Sequence, residues 1–218
     1  MIPLSFRNVS EEDRKPLCQI AFDTAFLGQS GSRMIDDKNL FFDLGVYYFF
    51  RFEKQHSFVA LLDKQVVGYL LSTQNIKRYF WITTLFIVPF IVLPKLLFFR
   101  YRLGKKTLRF FFLLALESFL RRIPRAPIQH YSTELHINLA EEARGKGIAS
   151  QLMQELMVAL AKTSIHGIQL NTTSENLAAL KLYHRFGFRE LVRKPSYRWS
   201  VLTGFLVHNI TMVKDMER

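Results

Sequence analysis

Thr133-Glu134-Leu135-His136-Ile137-Asn138-Leu139 alternates polar and apolar side chains without a break. A period of two marks a strand, so Leu135, Ile137 and Leu139 face a core while Glu134, His136 and Asn138 face the other way and can line a site. Shortly after it stands Arg144-Gly145-Lys146-Gly147-Ile148-Ala149, and from Gly147 to Thr163 the residues Ile148, Leu152, Leu156 and Leu160 recur at helical spacing with Met153 alongside. The first N–H groups of a helix have no internal partner, and its N-terminus carries partial positive charge. A slim loop feeding a helix is therefore a natural cradle for a pyrophosphate. Gly145 and Gly147 let the backbone approach such a ligand, Arg144 and Lys146 add charge, and Ala149 keeps the first turn narrow. The spacing meets neither the Walker loop nor the dinucleotide fingerprint, which leaves ATP and NAD without support.

Outward from this stretch, helices and strands alternate. Ser10 followed by Asp13 is a capping signature, and Leu17, Ile20 and Ala21 predict a first helix over Ser10 to Ala25. A second helix is expected from Leu40 to Phe52. The β-prone runs Ser57 to Leu62 and Gln65 to Ser72 flank Asp63-Lys64 and predict a hairpin. Beyond the glycine loop, Gly167 to Thr172 reads as a strand, Glu175 to Arg185 as a helix capped by Ser174, and Phe205 to Lys214 as a last strand. Antiparallel pairs mixed with βαβ units predict one central sheet flanked by helices.

Residues 76–125 are foreign to this frame. They hold eleven of the 30 Lys and Arg, one of the 18 acids (Glu117) and nine of the 21 Phe, so most of the net charge of +12 belongs to one apolar segment. The run Phe80 to Pro94 is uncharged but broken by Pro89 and Pro94. Its length of about 22 Å as a helix is short of the roughly 20 residues a bilayer needs. Lys105 to Arg122 reads as a second helix with a broad apolar face after a turn at Gly104. A greasy hairpin with basic margins fits packing on the body of the protein, a homodimer contact, or a peripheral contact with an anionic membrane surface. Nucleic acid fits less well, because the bases are interleaved with aliphatic runs instead of forming a polar stripe.

A chain of 218 residues suits one domain with an insertion. We divide it at 1–75, 76–131 and 132–218, the outer parts forming one unit. The single Cys18 cannot form an internal disulfide, and no amino-terminal segment has the zones of a secretory signal. The expected location is cytoplasmic, extending to a peripheral position at the inner membrane face.

The glycine loop resembles the phosphate signature of the GNAT superfamily of acyl-CoA N-acyltransferases, Gln/Arg-x-x-Gly-x-Gly/Ala, at Arg144, Gly147 and Ala149. Some thirty residues later, Asn176-Leu177-Ala178-Ala179-Leu180-Lys181-Leu182-Tyr183-His184-Arg185-Phe186-Gly187-Phe188 resembles that family's second motif, Asn, then Ala, then Leu-Tyr, then Gly-Phe. The resemblance covers nearly everything except residues 76–131. It departs from the family at Glu141, where a Pro is usual. It implies an α/β fold with a twisted, mostly antiparallel central sheet, and acetyl-CoA as acyl donor to an amine acceptor, without a metal.

It also implies roles. The pyrophosphate would sit on Arg144, Gly145, Lys146, Gly147, Ile148 and Ala149, and the main chain of Asn138 and Leu139, beside a strand bulge, would meet the pantetheine arm. Asn176 would hydrogen-bond that arm, though it could equally be a plain first-turn residue. Tyr183 matches the acid that protonates the departing thiol, against the alternative of a core aromatic. For the base the sequence offers Glu134 on the polar face of the strand, with His136 in reserve. A non-catalytic acyl-CoA-binding module and acyl transfer to a hydrophobic acceptor at a membrane stay open beside the plain transferase.

Overall fold

Asp63 and Lys64 both take left-handed backbone, with φ of 50° and 64°. This is the twist that joins two strands through a two-residue turn. The strands are β2 (Phe58–Leu62) and β3 (Gln65–Thr73). The computed structural model describes residues 4–216. Five further strands, β1 (Leu4–Asn8), β4 (Thr133–Leu139), β5 (Gly167–Thr173), β6 (Arg189–Ser196) and β7 (Val207–Asp215), complete a sheet in the order β1-β2-β3-β4-β5-β7-β6. Every neighbouring pair is antiparallel except β4 and β5. The α/β fold with a mostly antiparallel sheet is the one expected.

Each face of the sheet has its own core. Leu135 of β4 packs with Ile148, Leu152 and Leu156 of α6 (Ile148–Leu160). Tyr183 of α7 (Leu177–Arg185) joins the same cluster. On the opposite face, Tyr69 and Leu71 of β3 meet α1 (Arg14–Asp23), α2 (Lys38–Gly45) and α3 (Tyr47–Phe52) through Leu17, Phe42 and Phe49. The capping box at Ser10 and Asp13 forms as expected, opening a short 3-10 turn before α1.

Several boundaries differ from expectation. The helix expected over Leu40 to Phe52 is two helices that meet at Val46, where φ is stretched to −118°. The last long helix is capped by Asn176, whose Oδ1 accepts from the Ala179 N–H, and not by Ser174, whose hydroxyl instead takes the His208 N–H. Strands β1 and β6 and helix α8 (Tyr197–Thr203) were not foreseen. Both strands lie at sheet edges, where side chains on either face meet solvent and no apolar alternation is needed.

The segment 76–125 forms α4 (Ile76–Leu97), a continuous helix of 22 residues, and α5 (Lys105–Phe119). Pro89 lies inside α4 and does not end it. The turns from Thr83 to Val92 widen to π-helical winding, which accommodates a residue with no N–H and a bulky ring. Both helices are fastened to the body by carboxylates, Asp43 and Glu117 buried and Asp36 exposed. Asp43 accepts from Lys95 Nζ at 2.5 Å and Tyr101 OH at 2.8 Å. Asp36 accepts the N–H groups of Gly104 and Thr107 and so caps α5 from another part of the chain. Glu117, fully buried, accepts from Ser196 Oγ at 2.6 Å and Asn209 Nδ2 at 3.1 Å, with Arg198 Nε at 3.5 Å. Burial lowers the Arg198 guanidinium pKa, and Glu117 opposes that shift.

Candidate active site

The parallel neighbours β4 and β5 share register only at Thr133 with Ile168 and Glu134 with Gln169. Each keeps its outer partner far longer: β3 follows β4 to Leu139, and β7 follows β5 to Thr173. Beyond Glu134 the two strands therefore diverge, and alternate backbone groups on their facing edges lose a strand partner. The gap is a cleft of about 190 Å³, walled by His136 and Asn138 of β4, Thr172 and Thr173 of β5, and Asn176 and Tyr183 of α7. The bulge implied by the resemblance is missing. β4 runs in unbroken register against β3 from Glu134 to Leu139. Gly68, lacking a Cβ, sits opposite Leu139 and leaves that side chain the room a bulge would otherwise provide.

At the wide end of the cleft the chain turns into α6. Gly145 and Gly147 have φ of 74° and 77°, in the left-handed region, and a Cβ at either would meet open space. Among the described residues, no acceptor pairs with the backbone N–H groups from Gly145 to Ala149. Five donors at the positive end of a helix, beside an unobstructed backbone, fit a pyrophosphate. Ile148 contributes only main chain here, since its side chain is buried in the core. Lys146 is exposed and free to approach an anion. Arg144 is committed elsewhere, its guanidinium donating to Gly28 O at 2.8 Å and Leu139 O at 3.4 Å.

That contact reaches a loop the sequence did not single out. Leu27 and Gly28 both have positive φ, and Phe26 and Gln29 exchange two backbone hydrogen bonds around them, so a tight turn after α1 overhangs the cleft. Trp199 of α8 closes another wall. A Leu-Gly pair and a lone Trp carry no catalytic signature, and only the tertiary fold brings them to β4.

The candidate side chains differ in what they touch. Tyr183 is buried against Phe188, and its hydroxyl has no hydrogen bond among the described residues. Burial pushes its phenol pKa well above the ordinary value. Asn176 lines the cleft while its Oδ1 caps α7, so the structural role left open earlier is filled by one end of its amide. The Asn138 amide donates to the buried Tyr69 hydroxyl at 2.8 Å. His136 is half-buried on the cleft wall, its ring edge-on to Phe49 at 5.1 Å. Glu134 sits where the strands still pair. It accepts from Asn171 Nδ2 at 3.0 Å, and Asn171 in turn accepts from Thr211. The polar face of β4 is thus assembled as expected, but His136 reaches the cleft and Glu134 lies at its closed apex.

A model described as the acetyltransferase (GNAT) family matches residues 120–188, the span that holds β4, the glycine loop and α7. Among solved structures, that of SsHAT shares the fold at TM-score 0.69 with 19% identity, covering 99% of each chain. The yncA protein from Salmonella typhimurium, solved with its cofactor acetyl-CoA, aligns at TM-score 0.60 and 13% identity over 99% of this chain and 95% of its own. A GCN5-related N-acetyltransferase from Kribbella flavida aligns at TM-score 0.59 and 15% identity over 98% of both. The splayed strands, the glycine loop and the second motif all lie inside the matched span, so this part of the chain is similar to the acetyltransferase (GNAT) family, and the chain as a whole shares the fold of these solved structures.

Proposed function

We propose that the protein transfers an acyl group, acetyl first among the candidates, from an acyl-CoA to a primary amine. One observation carries the reading: five N–H groups of a glycine loop, unpaired among the described residues, stand at the mouth of a cleft opened between two parallel strands. On this reading the main chain from Gly145 to Ala149 binds the pyrophosphate, Lys146 adds charge, and Asn138, Leu139 and the free end of the Asn176 amide lie along the pantetheine arm. Bound acyl-CoA would supply an acyl group activated as a thioester.

The chain's own groups then divide the remaining work. N–H groups on the unpaired edge of β4 stabilise negative charge on the acyl oxygen. Tyr183 keeps its proton, because burial disfavours the phenolate, and offers it to the departing sulfur. His136 accepts the proton of the attacking amine. Glu134 stands one step back, linked through Asn171. Trp199 and the Leu27-Gly28 turn limit the width of the acceptor.

Calorimetric titration with acetyl-CoA and longer acyl-CoAs, followed by thiol release against an amine panel, tests this. Binding with thiol release supports the transferase. Binding without release from any amine supports a non-catalytic acyl-CoA module, and no binding removes the proposal.

A further inference from the structure

The outward faces of α4 and of the corner after it are apolar to an unusual degree for a surface. Phe90, Leu97, Phe98 and Phe99 are 68, 73, 76 and 92% exposed, while Ile87 and Val92 of the same helix are buried in the core. Apolar side chains thus run round the whole helix, and only one flank is covered. The charge around this face is of one sign. Glu117 is the sole acid between residues 76 and 125, and it is wholly buried, so the segment exposes no carboxylate. Lys77, Arg100, Arg102, Lys105 and Arg109 are exposed, and among the described residues none of them forms an ion pair.

We propose that this face docks on an anionic phospholipid bilayer, with α4 lying in the headgroup region. Charge selects the occupant. A second copy packed about a two-fold axis would bring the same cations face to face. An anionic bilayer satisfies the cations and the phenylalanines together. The fastenings select the orientation. α4 is long and apolar enough to cross a membrane, yet Ile87, Val92 and the Lys95–Asp43 pair hold it side-on to the domain along its length. Spanning would strip the core of one of its walls. The inference stands independently of the acyl-transfer reading.

Flotation of the full chain with vesicles of phosphatidylcholine, alone or mixed with phosphatidylglycerol, tests it. The protein is expected to float with the mixed vesicles, to stay behind with phosphatidylcholine alone, and to be released by an alkaline carbonate wash. Phe98→Ser combined with Phe99→Ser should abolish flotation. Arg100→Glu and Lys105→Glu should each weaken it at least about fivefold, the equivalent of roughly 1 kcal/mol per basic residue near the surface. All four positions are exposed, so unchanged thermal melting of the variants separates lost docking from lost folding. Absence of flotation, equal flotation with both vesicles, or retention through the carbonate wash overturns the proposal. So does a concentration-dependent dimer abolished by the double serine variant, or retention by single-stranded RNA alone.

Discussion

Around the cleft, backbone donors of the glycine loop lack partners among the described residues, while Leu135 of β4 and Ile148, Leu152 and Leu156 of α6 are buried. Along α4 and α5 the carboxylates of Asp43 and Glu117 each accept two or more side-chain hydrogen bonds, and it is phenylalanine and leucine that lack cover. A polar group left unpaired in a cleft marks where a polar ligand goes, because burying it otherwise costs free energy. An apolar stripe left uncovered marks a surface meant for something other than water. The two regions therefore announce different partners by opposite omissions.

The sharpest way to break this contrast is at the latch of α5. Glu117→Ala would leave Arg198 buried without its counter-charge and Ser196 and Asn209 with one acceptor fewer, and should cost about 3–5 kcal/mol of unfolding free energy in urea. A loss below about 1 kcal/mol would mean that α5 is not held by that carboxylate. Next in size is Tyr183→Phe, expected to lower kcat by about a hundredfold or more while acetyl-CoA binding in calorimetry stays near wild type. Because burial raises the phenol pKa, Tyr183 is protonated at every pH below its ordinary titration range. The loss should therefore be uniform from neutral to mildly alkaline pH, and a defect that appears only on the alkaline side would contradict the role of proton donor.

Gly147→Trp fills the open side of the loop and should weaken acetyl-CoA binding beyond about a hundredfold. Its left-handed φ adds about 1–2 kcal/mol of strain to the fold. Normal binding by the folded variant would move the pyrophosphate elsewhere. The smallest effect is expected from Phe112→Ser on the open face of α5, within about 0.5 kcal/mol of wild type in thermal unfolding. Phe110→Ala on the buried face of the same helix should cost about 3–5 kcal/mol. Equal costs for the two would show that the outer face of α5 is covered after all.

The cleft was more legible in the sequence than the insertion, for a physical reason. Alternation in β4 and glycine spacing in the loop are local devices, so Thr133–Leu139 and the start of α6 can be read where they stand. Trp199 and the Leu27-Gly28 turn reach the site only through tertiary packing, and nothing in their neighbours' spacing reports it. The same limit concealed that Arg144 is spent on Gly28 O and that Asn171 holds Glu134 back from the cleft. In α4, local rules misled about Pro89. A proline breaks an α-helix by clash and by a missing donor, and wider winding with packing against α2 relieves both.

The latches also impose an order of assembly. Asp43, which holds α4, lies 52 residues before Lys95, so its partner already exists when the apolar helix leaves a ribosome. Glu117 must wait for Ser196 and Asn209, 79 and 92 residues further on. At about 5–20 residues per second, that wait is on the order of 5 to 20 s. During it, α5 has only its upstream partners, Asp36 at its N-terminus and Met34 and Ile35 beside Phe110, and a growing chain is most open to capture by a hydrophobic surface or by aggregation.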